Sequence, residues 1–149
     1  MDKIDAAILN ELRRNARIAN RTLAQKVHLS PSAALARVNK LKRAGIIKGF
    51  ETRLDGAKLG IGLTVLVELR LEKNIGNRRI GEELVKFPEV VEIHDVAGEC
   101  DYLLKIMISD AAALRELLFR IGCIPGVGSS RTTLVLGTLK SELFPPVRA

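Results

Sequence analysis

Tryptophan is absent from this 149-residue chain, and one tyrosine and four phenylalanines are its only aromatic residues. The basic N-terminal segment therefore offers no large aromatic or aliphatic face for insertion into a membrane surface. No apolar run approaches the roughly 20 residues that span a bilayer, and the opening MDKIDAAILNELRR lacks the apolar core of a signal peptide. A cytoplasmic protein is predicted. The two cysteines, Cys100 and Cys123, match no metal or redox spacing and are expected to be buried or idle thiols. With only two histidines, His28 and His94, acid–base chemistry has few candidates. His94, near Asp95 and Cys100, is the one conceivable catalytic group, but no spacing supports it, and neither an enzyme nor a metal site is expected.

What the chain does have is 47% hydrophobic residues, enough for one ordinary domain or two small ones, and a net charge of +7. The charge is unevenly distributed. Residues 1–54 carry 12 Lys or Arg against 4 Asp or Glu, a balance of +8, and residues 55–149 carry 12 against 13, a balance of −1. Such asymmetry is expected where one module meets a polyanion and the other does not, because phosphate contacts by Lys and Arg release counterions.

The most informative stretch is LSPSAALARVNKLKRAG, Leu29 to Gly45. Ser30 can cap a helix, Pro31 suits its first position, and Gly45 suits the left-handed residue after its end. Ala34, Leu35, Val38 and Leu41 form the predicted packing side, opposite Ser32, Ala33, Ala36, Asn39, Lys40 and Arg43, with Arg37 at the boundary. A shorter helix capped by Asn20 precedes it, with His28, Leu29 and Ser30 between, so the pair reads as a helix-turn-helix whose second helix enters a DNA major groove. Ser32, Ala33, Ala36 and Lys40 are expected to face base edges with Asn39 beside them, Arg37, Lys42 and Arg43 are the expected phosphate contacts, and the capping Ser30 completes the DNA-binding set. A first helix from about Ile4 to Arg14 supports them through Ile8 and Leu12. The run IIKGFETRLD, Ile46 to Asp55, suggests a short β-ribbon, hence a winged variant.

DGAKLGIG, residues 55–62, breaks both periodicities where the charge balance changes and is read as a linker. It lacks the third glycine of a dinucleotide fingerprint. From Leu63 the pattern gives a strand, a polar break at Lys73 to Asn77, a helix through Ile80 and Leu84 stopped by Pro88, and strands at Val90–Val96 and Tyr102–Ile108 around the turn AGECD. A helix capped at Ser109 or Asp110 and a last strand, Ser129–Leu139, complete β-α-β-β-α-β, a ferredoxin-like four-stranded antiparallel sheet with both helices on one face. Leu, Val and Ile on both sides of these strands predict that a second copy covers the free face. In the turn, Gly98 allows close approach, backbone N–H groups can receive a carboxylate, and Asp101 can pair with an α-amino group. The same residues equally suit a plain hairpin closure.

IDAAILNELRRNAR (4–17), LSPSAALARVNKLKRAGIIKGF (29–50), AGECDYLLKI (97–106) and IPGVGSSRTTLVL (124–136) together resemble the Lrp/AsnC, or feast/famine, family of transcription regulators over nearly the whole chain. The resemblance implies an α+β protein. Its parts are a winged helix-turn-helix (1–54), a linker (55–62), a ferredoxin-like RAM-type domain for dimerisation and effector binding (63–140), and a tail (141–149). It further implies homodimers assembled into an octamer or similar ring, double-stranded DNA as partner, and an amino-acid or small-metabolite effector. Gly98, Glu99, Cys100, Asp101, Tyr102, Thr133 and Leu134 would hold that effector. Ala36 and Asn39 depart from the acidic residue and arginine common in the recognition helix, and Glu99, Cys100 and Thr133 from the family's turn and strand, so operator and effector identity stay open. The alternative is an architectural protein that wraps or bridges DNA with little sequence choice.

Overall fold

The structure, a computed structural model, describes residues 1–72, 77–142 and 144–148, with only the backbone at Asn77 and Arg78. The polar break expected at Lys73 to Asn77 thus falls, at 73–76, outside the described residues. The chain forms two compact units, Met1–Arg53 joined by Lys140–Ala149, and Leu54–Leu139.

The first unit is three helices, α1 (Lys3–Arg14), α2 (Asn20–Lys26) and α3 (Pro31–Arg43). Asp2 caps α1 through a reciprocal capping box with Asp5, which satisfies two of the amide groups left free at a helix start. Ile8, Leu23, Val27, Val38 and Leu41 are buried together. Ser30 Oγ accepts from Ala33 N–H at 3.2 Å, Pro31 opens α3, and Gly45 takes φ +69° just past its end.

Three local expectations need correction. Asn20 is not the cap of α2; that position is Ala19, and Asn20 instead donates its amide to Pro31 O at 2.8 Å, tying the starts of the two helices together. Leu35 is 50% exposed, because a stripe at 34, 38 and 41 is all that the small unit covers on α3. Residues 46–55 contain no strand. Only Ile47 of this segment packs on the three-helix core, while the Phe50 ring lies under Lys42 Nζ, 5.1 Å from its centroid.

The tail belongs to this unit. Asn10 and the Val147 backbone exchange two hydrogen bonds of 2.9 Å, Arg13 pairs with Glu142 at 2.7 Å, and Arg53 donates to Ser141 O.

His28, in the turn between α2 and α3, has φ +54°, a left-handed conformation that strains any residue with a Cβ. His28→Gly is expected to raise the unit's stability by up to about 1 kcal/mol, read as a higher midpoint in urea.

The second unit contains β1 (Leu63–Leu71), α4 (Asn77–Leu84), β2 (Val90–Asp95), β3 (Tyr102–Ile108), α5 (Ala111–Gly122) and β4 (Val127–Leu134). The strands form one antiparallel sheet in the order β2-β3-β1-β4. Strand alternation sends Val65, Val67 and Leu69 of β1 and Tyr102, Leu104, Ile106 and Ile108 of β3 to one side, where they are buried with Ile80 and Leu84 of α4 and Leu117 and Ile121 of α5. Asp110 caps α5, accepting from Ala113 N–H at 2.9 Å. β4 begins at Val127, two residues before the expected Ser129, and stops at Leu134, short of the expected Leu139; one further bond, Val135 N–H to Thr64 O at 2.9 Å, ties it to β1, and Leu136 and Leu139 are exposed. The expected linker folds into this unit as a 3-10 turn, Ala57–Leu59, followed by Gly62, whose missing Cβ would stand 2.6 Å from Ser109 O.

The sheet's other side is less apolar than the sequence suggests. It carries Leu66, Leu103 and Met107, but also the ion pairs Lys105–Glu92 at 2.7 Å and Arg131–Glu68 at 3.6 Å. Cys100 and Cys123 are free thiols, the first half-buried and the second exposed.

Candidate nucleic-acid interface and ligand-binding turn

At 100° per residue, Ser32, Ala36, Asn39, Lys40 and Arg43 occupy roughly a 100° sector of α3. All five are exposed. Ala33, half-buried, flanks that sector, and Ser30 Oγ lies 3.1 Å from Ser32 Oγ at the helix start. Small residues let this sector approach a groove closely, and its cations lie toward the C-terminal half, where they also complement the helix dipole.

Lys42 and Arg37 sit at opposite edges of the sector. Lys42 shares the edge of exposed Leu35 and covers Phe50. Arg37 turns toward α1, where one guanidinium nitrogen, Nη1, donates to Asp2 Oδ2 at 2.6 Å and Asp5 Oδ1 at 2.8 Å. The sequence marked Arg37 as a boundary residue with a phosphate role; its observed partners are two carboxylates. Together Asp2, Ala36, Arg37, Lys40 and Arg43 line a cleft of about 350 Å³.

The Arg37 hydrogen bonds hold the Asp2 and Asp5 carboxyls below the usual carboxylate range and push the guanidinium's own value up. Glu11 is lowered likewise by Lys26, whose Nζ lies 2.5 Å away. Groups with depressed values in the folded state stabilise it above their unfolded values, and that contribution is lost as pH falls through the folded ones. Acidification below about pH 4 is therefore expected to loosen the contact of α1 with α2 and α3, measured as a pH-dependent fall in the unit's thermal midpoint.

The turn between β2 and β3 brings together only part of the predicted ligand set. Gly98 faces open space. Glu99 is exposed and stands 3.5 Å from Arg70. Asp101 is committed to the backbone: its N–H donates to Leu69 O at 2.8 Å and its Oδ2 accepts from Leu71 N–H at 2.7 Å. Tyr102 points into the core with 4% exposure, against Gly81 of α4, and burial raises its hydroxyl's pKa.

Thr133 and Leu134 pair with Leu66 and Val65, whereas the turn adjoins Leu69, so within one chain they lie about three residues, roughly 10 Å, along the sheet from it. The β4 residues that do reach the turn end are Ser129 and Ser130, opposite Arg70 and Leu69. Arg70 and these serines escaped the sequence reading; a count of antiparallel register along β1 would have found them. A cleft of about 450 Å³ lined in part by Ser109, Glu116 and Arg120 opens at the opposite end of the sheet. Glu89 also lines it, and its Oε2 is buried with no hydrogen-bond partner among the described residues.

His94 lies on β2 with its Nε2 3.4 Å from Glu92 Oε2. Among the described residues no group of three or more His, Cys, Asp or Glu gathers at metal-binding range, and no helix is long and apolar enough to cross a membrane.

A capped helix-turn-helix with a basic outer face, followed by a ferredoxin-like sheet, defines a DNA-binding regulator with a separate second domain. Residues 1–48 match the winged helix-turn-helix DNA-binding family, and residues 64–143 match the Lrp/AsnC ligand-binding domain. The chain is 39% identical to the leucine-responsive regulatory protein of Haemophilus influenzae, over 97% of this chain and 89% of that protein. It is 38% identical to the Escherichia coli protein of that name, over 95% and 88%.

Its fold superposes on a Neisseria meningitidis transcriptional regulator in complex with L-Met (TM-score 0.93, 30% identity, 97% of this chain and 96% of that one). The AsnC of Escherichia coli is similar too (TM-score 0.90, 28% identity, 97% of each chain). The protein belongs to the Lrp/AsnC family of transcriptional regulators.

Proposed function

We propose that this protein regulates transcription in the cytoplasm as a homodimer or a ring of dimers such as an octamer. In this reading the outer sector of α3 reads double-stranded DNA, and an amino acid or similar small metabolite sets DNA affinity. The observation that carries it is the exposed sector Ser32, Ala36, Asn39, Lys40 and Arg43 on a doubly capped helix. Ser30 and Ala33 shape its N-terminal end, and Lys42 and Arg43 supply phosphate contacts. Two-fold symmetry would place half-sites about 34–36 Å apart or a multiple of that.

The match to a ligand-binding domain and the L-Met complex of the Neisseria relative support an amino-acid effector. Gly98, Glu99 and Cys100, with the backbone amides of the turn, are its nearest candidates, joined by Arg70. Thr133 and Leu134 would contribute only from another protomer. Leu66, Leu103 and Met107 on the free sheet face favour cover by a second copy. An effector controls DNA binding only insofar as it favours one assembly or conformation over another.

Binding to the promoter of the protein's own operon and to random DNA, across salt concentrations and with or without pooled amino acids, tests this reading. Preferential, salt-sensitive binding shifted by the pool supports it; binding without preference transfers the case to the architectural reading; no binding at low salt rejects the DNA interface. Asp101→Ala is expected to strand the Leu71 amide and cost about 1–3 kcal/mol of stability, seen in a urea titration. A variant of unchanged stability that no longer responds to amino acids would return Asp101 to the effector site.

A further inference from the structure

The Arg37 contacts close a network. Asp2 Oδ1 accepts from Asp5 N–H at 2.8 Å and Asp5 Oδ2 from Asp2 N–H at 3.2 Å, which completes the capping box of α1. The two remaining carboxylate oxygens, Asp2 Oδ2 and Asp5 Oδ1, both take Arg37 Nη1. Every oxygen of the pair thus has a donor, and the donor that joins them comes from the DNA-reading helix.

Asp5 is 5% exposed. Withdrawing Arg37 to meet a phosphate would leave a buried carboxylate and its neighbour without their cation, an arrangement far costlier than an unmet surface arginine. Within the cluster the two carboxylates outnumber the one guanidinium, so the charge of Arg37 is fully answered inside the protein.

We propose that Arg37 is a positioning residue for operator recognition and not a phosphate contact: it locks α3 to the capped start of α1 and so fixes the angle at which Ser32, Ala36, Asn39 and Lys40 enter the groove. The proposal rests on the reading of α3 as the recognition helix. It separates two functions that a run of basic residues on one helix conflates. Among the described residues Arg43 and Lys40 have no ion-pair partner and are exposed toward DNA; Arg37 determines where they stand. Specificity is sensitive to that angle because a bidentate base contact tolerates little displacement, whereas phosphate attraction tolerates much.

The test uses the full-length protein, an operator selected by it from a random duplex pool, and an unselected duplex of equal length. Log K against log salt falls by about 0.9 per phosphate neutralised, so the slope counts phosphate contacts. Arg37→Met is expected to lower the operator-to-random affinity ratio at least tenfold while leaving the slope on random DNA unchanged. Arg37→Lys, which can still reach one carboxylate, should restore part of the ratio.

A slope shallower by about 0.9 for each Arg37 removed, with the ratio preserved, overturns the proposal, as does a variant with neither quantity altered. Should Arg37→Met fail to fold, Asp2→Asn decides. A reduced ratio at unchanged slope supports positioning. A tighter complex with a steeper slope, as a released Arg37 would give, overturns it, and so does no change at all. Failure of the unsubstituted protein to prefer any selected duplex would instead reject the recognition helix itself.

Discussion

Lys40→Ala is expected to weaken operator binding by about 1–3 kcal/mol per half-site, a factor of roughly 5 to 150, with little change in thermal stability. Lys40 is exposed at the edge of the outer sector of α3 nearest Arg37 and makes no ion pair among the described residues. Its loss removes a charge that no described residue neutralises, so the folded state gives up little when it goes. At the helical position of Lys40, one turn beyond Ala36, an ammonium on a flexible stem can reach either a guanine edge or a phosphate. Fluorescence anisotropy on operator and mismatched duplexes separates the two. If the loss is confined to one base-pair position Lys40 reads a base; a uniform loss with a shallower salt dependence makes it a phosphate contact. Undiminished affinity and unchanged preference would remove α3 from the interface.

The second large effect is on the other unit. Leu104 lies fully buried in β3, flanked by β1 and β2, beneath the two helices. Leu104→Ala deletes atoms at the centre of this core, where the strands on either side restrict collapse into the space left behind, and is expected to cost about 2–5 kcal/mol. For a unit of this size that corresponds to a fall of roughly 8 °C or more in the melting midpoint. The loss should appear in the transition of Leu54–Leu139, while the three-helix unit, with its own buried cluster, keeps its helical signal. Calorimetry of the variant beside the parent chain reads this directly. One cooperative transition shifted as a whole would mean that the two units unfold together, and an unshifted trace would mean that the core repacks around the gap.

Much of this architecture is legible locally because the signals are local. Ser30, Pro31 and Gly45 bound α3 by backbone chemistry that acts within a few residues, and Asp110 does the same at the start of α5. Alternation along Tyr102–Ile108 and β-branched residues in β1 reveal strands without knowledge of their partners. The charge balance, +8 in residues 1–54 and −1 thereafter, needs no fold to be seen.

The misreadings occur where a residue's role depends on what stands opposite. Leu35 has a core residue's chemistry but lies one position off the stripe that α1 and α2 cover. The hydrophobic pattern continues through Leu139, five residues past the end of β4, where Leu136 and Leu139 are exposed.

The expected ligand set is the part that the fold disperses most. Tyr102 and Asp101 adjoin Gly98 in sequence, yet one enters the core and the other closes the backbone between β1 and β3. Their neighbours Arg70, Ser129 and Ser130 arrive from strands distant in sequence.

By itself, then, the sequence determined the order of the elements, their caps and the basic module, since periodicity, capping and net charge are properties of short stretches of chain. Tertiary structure alone decided which cations are free to meet DNA. Arg37 and Lys40 are three residues apart and both basic, but Asp2 and Asp5, more than thirty residues away, hold the first and leave the second in solvent. Coulomb attraction at hydrogen-bonding distance is set by position in space, and only the packing of α1 against α3 supplies that.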